Sequence, residues 1–286
     1  MNKNEWIKFI RNSIDFPVKN LGQNFLIDDR ISERIIEAAG IKEDDYILEI
    51  GPGLGALTRQ FTNDQSQFIC VEIDLNLKDP LVKQFENRNN IDFLFTDFLK
   101  IDYKAIQKNK KSPNIVISNL PYYVMTPIFM KLFLQWDCIE KMIFMVEKDA
   151  CERIFADPGT KSYGPISILS SIYGKKERLF QVGSKAFYPE PHTNSEVIRF
   201  TESKERGRIP AVLFPLVRAA FAQRRKTLLN VFTSSALFPE GREQVALFLE
   251  KANISPKTRA EDLPPKEYIR FACILEDMIV SIPKNK

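Results

Sequence analysis

The sequence predicts an α/β protein in which a mostly parallel, doubly wound sheet is followed by a small all-helical C-terminal domain. Three observations favour this class. Short apolar segments alternate with candidate helices as far as residue 156, which is typical of parallel βαβ units. A glycine-rich turn follows the first of these segments. After residue 200 the apolar spacing becomes helical, so we expect one domain over 1–200 and another over 201–286.

The elements can be predicted in chain order from the spacing of apolar residues. An amphipathic helix is expected at the N-terminus, where Trp6, Phe9, Ile10 and Ile14 have helical spacing, and another at 31–39. The candidate strands are residues 46–50, 68–73, 91–95, 114–118 and 141–146. Residues 51–61 predict a turn that enters a helix. Further helices are expected at 126–135, 147–156, 210–232, 242–252 and 266–279.

Composition excludes several functional classes. The chain has 286 residues, of which 44% are hydrophobic and 27% charged, which are globular proportions. Its single histidine, His192, and four scattered cysteines without a CxxC pair exclude a His-rich metal site, a zinc ribbon and a disulfide scaffold. We therefore expect no metal. Without a long apolar run or a signal peptide, no membrane association is expected, and the reduced thiols predict a cytoplasmic location.

Positive charge is concentrated in the last third of the chain. Residues 201–286 contain 15 Lys and Arg against 10 Asp and Glu, whereas the rest contains 26 against 27. A basic C-terminal region favours an anionic partner such as nucleic acid. The alternative is an ordinary solvated helical domain, and the charge alone does not decide between the two.

The turn after the first candidate strand points to a nucleotide. Gly51, Gly53 and Gly55 would let the backbone turn sharply and approach a ligand closely. Glu72 ends the second candidate strand, where an acidic side chain can accept hydrogen bonds from both ribose hydroxyls. The spacing also satisfies the loose G-x-G-x-x-A form, so a dinucleotide-binding dehydrogenase stays open at this point.

Polar residues also follow the third and fourth candidate strands. Asp97 could accept a hydrogen bond from an adenine amino group, although such a residue is more often a helix cap. Asn119 precedes Leu120, Pro121 and Tyr122. Asparagine supplies a carbonyl acceptor, proline stiffens the turn and tyrosine offers a flat face for a base. This set suits the exocyclic amine of a purine, and no role in hydride transfer is evident for it.

Taken together, these motifs resemble those of the small-subunit rRNA adenine N6,N6-dimethyltransferase family. The similarity extends in order over almost the whole chain. It is carried by residues 20–28 (NLGQNFLID), 49–58 (EIGPGLGALT), 71–74 (VEID), 119–123 (NLPYY), 147–174, 187–191 (FYPEP) and 221–230 (FAQRRKTLLN). Two departures from the family pattern lie near the expected base pocket. Glu147 replaces a usual glutamine, and His192-Thr193-Asn194 replaces Lys-Val-Asp.

The resemblance implies a Rossmann-like methyltransferase domain, a helical C-terminal domain and S-adenosylmethionine as methyl donor. Asn24 and Leu26 would line the methionine end of the donor. Gly51 would approach it through the backbone, Glu72 would bind its ribose, and Asp97 its adenine amine.

On the acceptor side, the resemblance implies that Asn119 lies between the donor and the target base, on which Tyr122 and Phe187 would stack. The substrate would be two adjacent adenosines in the 3′-terminal hairpin loop of small-subunit rRNA, each dimethylated, within a pre-assembled subunit. The enzyme would act as a monomer. Methyl transfer to an adenine amine needs hydrogen-bond acceptors and aromatic faces rather than a titrating base, which agrees with the scarcity of histidine.

Basic side chains are the candidates for contact with RNA phosphates: Lys161, Arg224, Arg225 and Lys226. Two alternative functions stay open. One is a large-subunit rRNA adenine N6-methyltransferase of the antibiotic-resistance type, against which the segments around Lys161 and Arg224 argue. The other is a non-catalytic ribosome-assembly or RNA-binding relative, against which Glu72 and Asn119 argue.

Overall fold

The computed structural model describes residues 1–14, 17–18, 22–62, 65–108, 111–136, 138–203 and 208–281. Five side chains of helical residues also lie outside this description: Tyr122, Tyr123, Gln135, Val280 and Ser281. The chain forms two compact units. The first unit comprises Met1–Cys151 and Lys175–Glu202, and the second comprises Glu152–Gly174 and Ser203–Lys286. No helix within the described ranges is long and apolar enough to cross a membrane.

The regular elements have the following bounds. The helices are α1 (Lys3–Ser13), α2 (Asp29–Ala39), α3 (Lys78–Gln84), α4 (Tyr122–Gln135), α5 (Lys148–Ile154), α6 (Pro165–Tyr173), α7 (Leu213–Ala220), α8 (Leu228–Thr233), α9 (Arg242–Lys251) and α10 (Pro265–Ser281). The strands are β1 (Phe25–Leu26), β2 (Tyr46–Ile50), β3 (Gln67–Glu72), β4 (Ile91–Phe95), β5 (Ile115–Asn119), β6 (Lys141–Glu147), β7 (Gly174–Val182), β8 (Phe187–Tyr188) and β9 (Ser195–Glu202).

The first unit is built on a seven-stranded sheet with the order β4-β3-β2-β5-β6-β9-β7. The five strands from β4 to β6 are parallel, and β9 is antiparallel to β6. The order reverses between β2 and β5, which are paired neighbours. In open α/β sheets, ligands bind beyond the carboxyl ends of the strands at such a reversal. The topology therefore places a site where β2 and β5 end.

The central strands are apolar because both of their faces are covered. Ile47, Leu48, Val116 and Ile117 are completely buried, as expected for strands in the middle of a parallel sheet. A two-stranded antiparallel sheet formed by β1 and β8 accompanies the large one. Its register pairs Leu26 with Phe187.

The five predicted strands are confirmed, whereas β7 and β9 were not anticipated. β7 reads GKKERLFQV and is rich in charged residues because it is the edge strand of the sheet. The predicted helix after the glycine-rich turn was wrong in type. Gly51, Gly53 and Gly55 all have positive φ, so a right-handed helix cannot begin before residue 56, and the segment after them forms a single 3-10 turn at Thr58–Gln60.

The second unit is mainly helical and contains α6 to α10. Its core includes an aromatic group formed by Phe232, Phe238, Phe248 and Phe271. The helix expected over 210–232 is divided into α7 and α8. Thr227, which ends the intervening turn, forms a β-bridge with Arg259, and the Leu228 amide donates to the Thr258 carbonyl at 2.8 Å. The contacts also assign residues 152–174, which precede the expected boundary near residue 200, to this unit.

Candidate active site

A cavity of about 310 Å³ lies at the carboxyl edge of the parallel strands, within the first unit. Five neighbouring strands, or the loops that follow them, contribute to its lining, and each supplies at least one residue of functional interest. These residues are Gly51 after β2, Glu72 from β3, Asp97 after β4, Asn119 from β5 and Glu147 from β6. The sheet therefore brings together four residues that the sequence predicted for one site, together with one departure from the family pattern.

The glycine-rich turn leaves room for a ligand at its first position. Gly51 has φ +69°, and a Cβ atom built there would meet nothing within 4 Å. Gly55 differs, because a Cβ atom there would lie 2.6 Å from the ring of Phe85. Gly55 is therefore required for packing, whereas Gly51 leaves open space from which a ligand could approach the backbone.

Glu72 is held in a fixed orientation by backbone amides. Its Oε2 accepts from the Gly53 amide at 3.0 Å, and its Oε1 accepts from the Asp74 amide at 2.9 Å. The side chain is buried, and this burial raises the pKa of its carboxyl despite those hydrogen bonds. Each carboxylate oxygen can still accept a further hydrogen bond. Glu72 can thus receive two adjacent hydroxyl groups, as a ribose presents them.

Asp97 is oriented by its own turn. Its Oδ1 accepts from the Leu99 amide at 2.9 Å, and the Leu99 carbonyl accepts from Lys131 Nζ at 2.7 Å. Burial lowers the pKa of Lys131. Beside Asp97 the cavity has exposed apolar surface from Ile73 and Leu99. Neither residue was predicted from the sequence, although Ile73 directly follows a buried strand and ligand sites are lined mainly by apolar side chains.

Asn119 ends β5 and lies opposite Met145 of β6. Asn119 lines the cavity, and no hydrogen bond joins its side-chain amide to another residue that the structure describes. Pro121 has φ −59° and caps α4, which begins at Tyr122. The side chain of Tyr122 lies outside the described residues, so its expected stacking on a base stays a prediction.

The remaining predicted residues come from the small sheet. Asn24, Leu26 and Phe187 all line the cavity. Asn24 donates to the Gly22 carbonyl at 3.3 Å, and Phe187 packs against Leu26 in the core with only 5% of its surface exposed. Phe187 therefore forms cavity wall, while its stacking on a target base stays a prediction. Residues 20–21, with which the first motif begins, lie outside the described residues.

Comparison with known proteins defines the family. The model of the ribosomal RNA adenine dimethylase family matches residues 18–277. The chain belongs to this family. A ribosomal RNA small subunit methyltransferase A of Geobacillus thermodenitrificans is 39% identical over 262 residues, covering 87% of this chain and 88% of that protein. A protein of the same name from Clostridium botulinum is 36% identical over 276 residues, covering 95% and 99%.

Solved structures confirm the fold of this rRNA adenine dimethylase family member. A dimethyladenosine transferase from Plasmodium falciparum superposes with a TM-score of 0.73 at 22% identity, over 88% of this chain and 98% of that one. The 23S rRNA methyltransferase ErmE superposes with a TM-score of 0.58 at 22% identity, over 88% and 100%. The Rossmann-like methyltransferase fold with a helical C-terminal region is thus shown, and the dehydrogenase alternative is not favoured.

Glu49 also lines the cavity of this dimethylase, although the sequence predicted no role for it. It lies in β2 and is almost completely buried, and its Oε2 accepts from the Thr58 hydroxyl at 2.6 Å and from the Cys70 thiol at 3.6 Å. Burial raises the pKa of its carboxyl to about 7. A charged residue inside the apolar strand YILEI was a signal for it, since such positions are rarely occupied without function.

The departures from the family pattern fall into two groups. Glu147 lines the cavity opposite Ser195 in the β6–β9 register. His192 and Thr193 are exposed, while Asn194 accepts from the Ser184 amide at 3.2 Å through its Oδ1. Of these residues, Glu147 is the one that changes the chemistry of the cavity wall.

The second unit contains the four basic residues predicted to contact RNA. Lys161, Arg225 and Lys226 are exposed. Arg224 instead donates to the Lys161 carbonyl at 2.5 Å and to Glu261 Oε2 at 3.0 Å. Its guanidinium therefore ties the turn at residue 161 to residue 261. RNA contact by these side chains stays a prediction.

Proposed function

We propose that this family member transfers methyl groups from S-adenosylmethionine to N6 of two adjacent adenosines in the 3′-terminal hairpin loop of small-subunit rRNA, dimethylating each. One observation carries the proposal: Glu72, Asp97 and Asn119 reach one cavity at the carboxyl edge of a methyltransferase sheet. The curated relatives described above are named for the small ribosomal subunit. That naming favours the small-subunit substrate over a large-subunit one.

The donor half of the cavity suits S-adenosylmethionine. Glu72 presents two fixed oxygens for ribose hydroxyls, and Asp97 has an acceptor for an adenine amine. The open space at Gly51 admits a ligand to the backbone. Asn24 and Leu26 would line the methionine end. The donor supplies a methyl group on a positively charged sulfur, so the protein needs no nucleophile of its own.

The acceptor half is proposed to position an adenine amine. Asn119 supplies a carbonyl acceptor that no described side chain occupies, and Pro121 stiffens the turn that follows. Accepting a hydrogen bond from the amine favours a pyramidal nitrogen, whose lone pair is then available for attack. The amine loses its proton after transfer, so no strong base is required. Positioning of this kind contributes roughly 7–11 kcal/mol in well-oriented model reactions.

The target adenines must leave their stack before they reach Asn119. Unstacking costs a few kcal/mol and is easiest in a loop, while stacking on an aromatic side chain returns about 1–3 kcal/mol per base. Phe187, which lines the cavity, and Tyr122 are the proposed stacking partners. Lys161, Arg225 and Lys226 are proposed to contact RNA phosphates, with Arg224 supporting the turn at Lys161.

Methyl transfer from a radiolabelled donor tests the proposal. Unmodified small subunits, naked small-subunit rRNA and large subunits are treated in parallel, and the modified nucleotides are mapped by mass spectrometry of RNA fragments. We expect two adjacent dimethylated adenosines in small-subunit rRNA, with assembled subunits the better substrate. Transfer to a large-subunit adenine would overturn the proposal in favour of the antibiotic-resistance type. Binding of RNA without transfer to any substrate would indicate a non-catalytic relative.

A further inference from the structure

Helix α1 lies outside the residues 18–277 that the family model matches, and none of the motifs accounts for it. The helix is nevertheless capped at its N-terminus and packed against the rest of the first unit. The Asn2 side chain accepts from the Glu5 amide at 3.0 Å, and Glu5 Oε2 accepts from the Asn2 amide at 2.8 Å, which forms a capping box. Trp6 and Ile10 are each only 1% exposed. Both side chains pack in one apolar cluster of the first unit.

Trp6 is the member of α1 that lines the cavity. Its Nε1 donates to Asp29 Oδ1 at 2.6 Å, and the guanidinium of Arg59 lies 5.1 Å from the centroid of its ring. The indole packs in one apolar cluster with Phe25 and Leu54. These interactions hold the ring in place and join α1 to the glycine-rich turn and to β1.

Phe25 links α1 to the glycine-rich turn. Its ring lies 3.3 Å from the place where a Cβ atom of Gly53 would be, so the two groups are in direct contact. The Gly53 amide is one of the two donors that orient Glu72. Asn24 is the residue immediately before Phe25 and lines the same cavity. A movement of Trp6 would therefore reach both the ribose-binding carboxylate and Asn24.

Polar contacts also attach α1 to the segment that carries Phe187. Lys3 Nζ donates to the Lys185 carbonyl at 3.1 Å and pairs with Asp28 at 3.4 Å. Arg11 Nε donates to the Tyr188 hydroxyl at 3.0 Å. The helix thus contacts the residues on both sides of the β1–β8 pair, where Leu26 lies opposite Phe187.

We propose that α1 is part of the donor site and that Trp6 is a positioning residue for the methyl donor. Trp6 closes one wall of the cavity and holds Phe25 against Gly53, so that Glu72 and Asn24 keep their binding geometry. This inference rests on the proposed function, since it takes the ligand to be S-adenosylmethionine or its product S-adenosylhomocysteine. It assigns a binding role to a segment that precedes the match to the family.

Fluorescence gives the first test because the chain has only two tryptophans. In a Trp136→Phe variant, Trp6 is the single reporter. Saturating S-adenosylhomocysteine is expected to change the intensity or wavelength of its emission. No change at saturation, with binding verified by calorimetry, would overturn the proposal without any need for a Trp6 variant.

Substitution gives the second test. Trp6→Ala is expected to weaken S-adenosylhomocysteine binding by about tenfold or more and to raise the KM for the donor, with the KM for RNA unchanged; Trp6→Phe keeps a ring and should restore most of the affinity. Phe133→Ala, which removes a buried ring of α4 that does not line the cavity, is the matched control for lost packing. Thermal melts verify that each variant is folded.

Two results would contradict a positioning role: donor affinity unchanged in folded Trp6→Ala, or an equal loss in Phe133→Ala. If Trp6→Ala does not fold, Trp6→Phe and the fluorescence titration decide. Failure of the proposed function is a different result: the unmodified protein itself would neither bind S-adenosylhomocysteine nor methylate RNA.

Discussion

Two carboxyl groups in the cavity of the first unit are buried and hydrogen-bonded, whereas basic side chains on the surface of the second unit are exposed to solvent. In the cavity, Glu49 and Glu72 are buried and each is held by hydrogen bonds of fixed direction. In the second unit, Lys161, Arg225 and Lys226 are exposed. A small ligand is recognised by a few preoriented groups, whereas a polyanion is attracted by several mobile charges that release counterions. Substitutions in the two regions should therefore change different measured quantities.

The largest effect is expected for Asn119→Ala. Loss of the acceptor should lower the rate of methyl transfer by about 100-fold or more, comparable to removal of one preoriented polar group from other active sites. The calorimetric affinity for S-adenosylhomocysteine should change little. Asn87→Ala, at an exposed position of the same unit, is the matched control. Full activity of Asn119→Ala in single-turnover assays would remove Asn119 from the proposed mechanism.

Glu72→Gln should produce the next largest effect. The variant keeps the size of the side chain but loses the charge, which strengthens both expected ribose hydrogen bonds. We expect S-adenosylhomocysteine to bind about 10- to 100-fold more weakly, since hydrogen bonds to charged groups contribute about 1.5–3 kcal/mol each. Isothermal titration calorimetry measures the dissociation constant, and Glu86→Gln, at an exposed position, is the control. An unchanged dissociation constant would rule out the ribose contact.

The raised pKa of Glu49, about 7, predicts a pH dependence of donor binding. A cationic ligand in the cavity favours ionised Glu49, so below this pKa binding must release a proton. The cationic ligand here is S-adenosylmethionine, whose sulfur is positively charged. Its affinity should therefore fall by about tenfold for each pH unit below the pKa and be constant above it.

Glu49→Gln tests this pH dependence because glutamine does not titrate. Calorimetry at several pH values, in buffers of different ionisation enthalpy, measures both the affinity and the proton release. The variant should show a flat profile. The same slope in the unmodified protein and in Glu49→Gln would show that another group titrates.

The smallest effect is expected for the double variant Arg225→Ala/Lys226→Ala. Removing two phosphate contacts should reduce the slope of log affinity against log salt by about 1.5, with donor binding unchanged. Filter binding of small-subunit rRNA at several salt concentrations measures the slope. Lys83→Ala, an exposed lysine of the first unit, is the control. An unchanged slope would mean that these side chains are ordinary surface residues.

Regular repeating patterns made much of the fold predictable. Buried parallel strands such as YILEI and IVISN are continuous apolar runs, and the glycines and Glu72 occur at an informative spacing. Irregular features were not predictable in the same way. The edge strand β7 has too many charged residues to stand out, and the helix expected after the glycine-rich turn is only a 3-10 turn at Thr58–Gln60. The grouping of residues 152–174 with the C-terminal helices depends on contacts distant in sequence.

Local pattern and residue order were enough to identify the family, the α/β class and the polar residues that end the strands. Which of these residues meet, and in which orientation and protonation state, depends on the folded chain. The tertiary structure oriented Glu72 through the Gly53 amide, raised the pKa of Glu49 by burial, engaged Arg224 in a turn and placed Trp6 in the cavity wall. Each of these outcomes depends on groups far apart in the chain, and burial and hydrogen-bond direction exist only once the chain is folded.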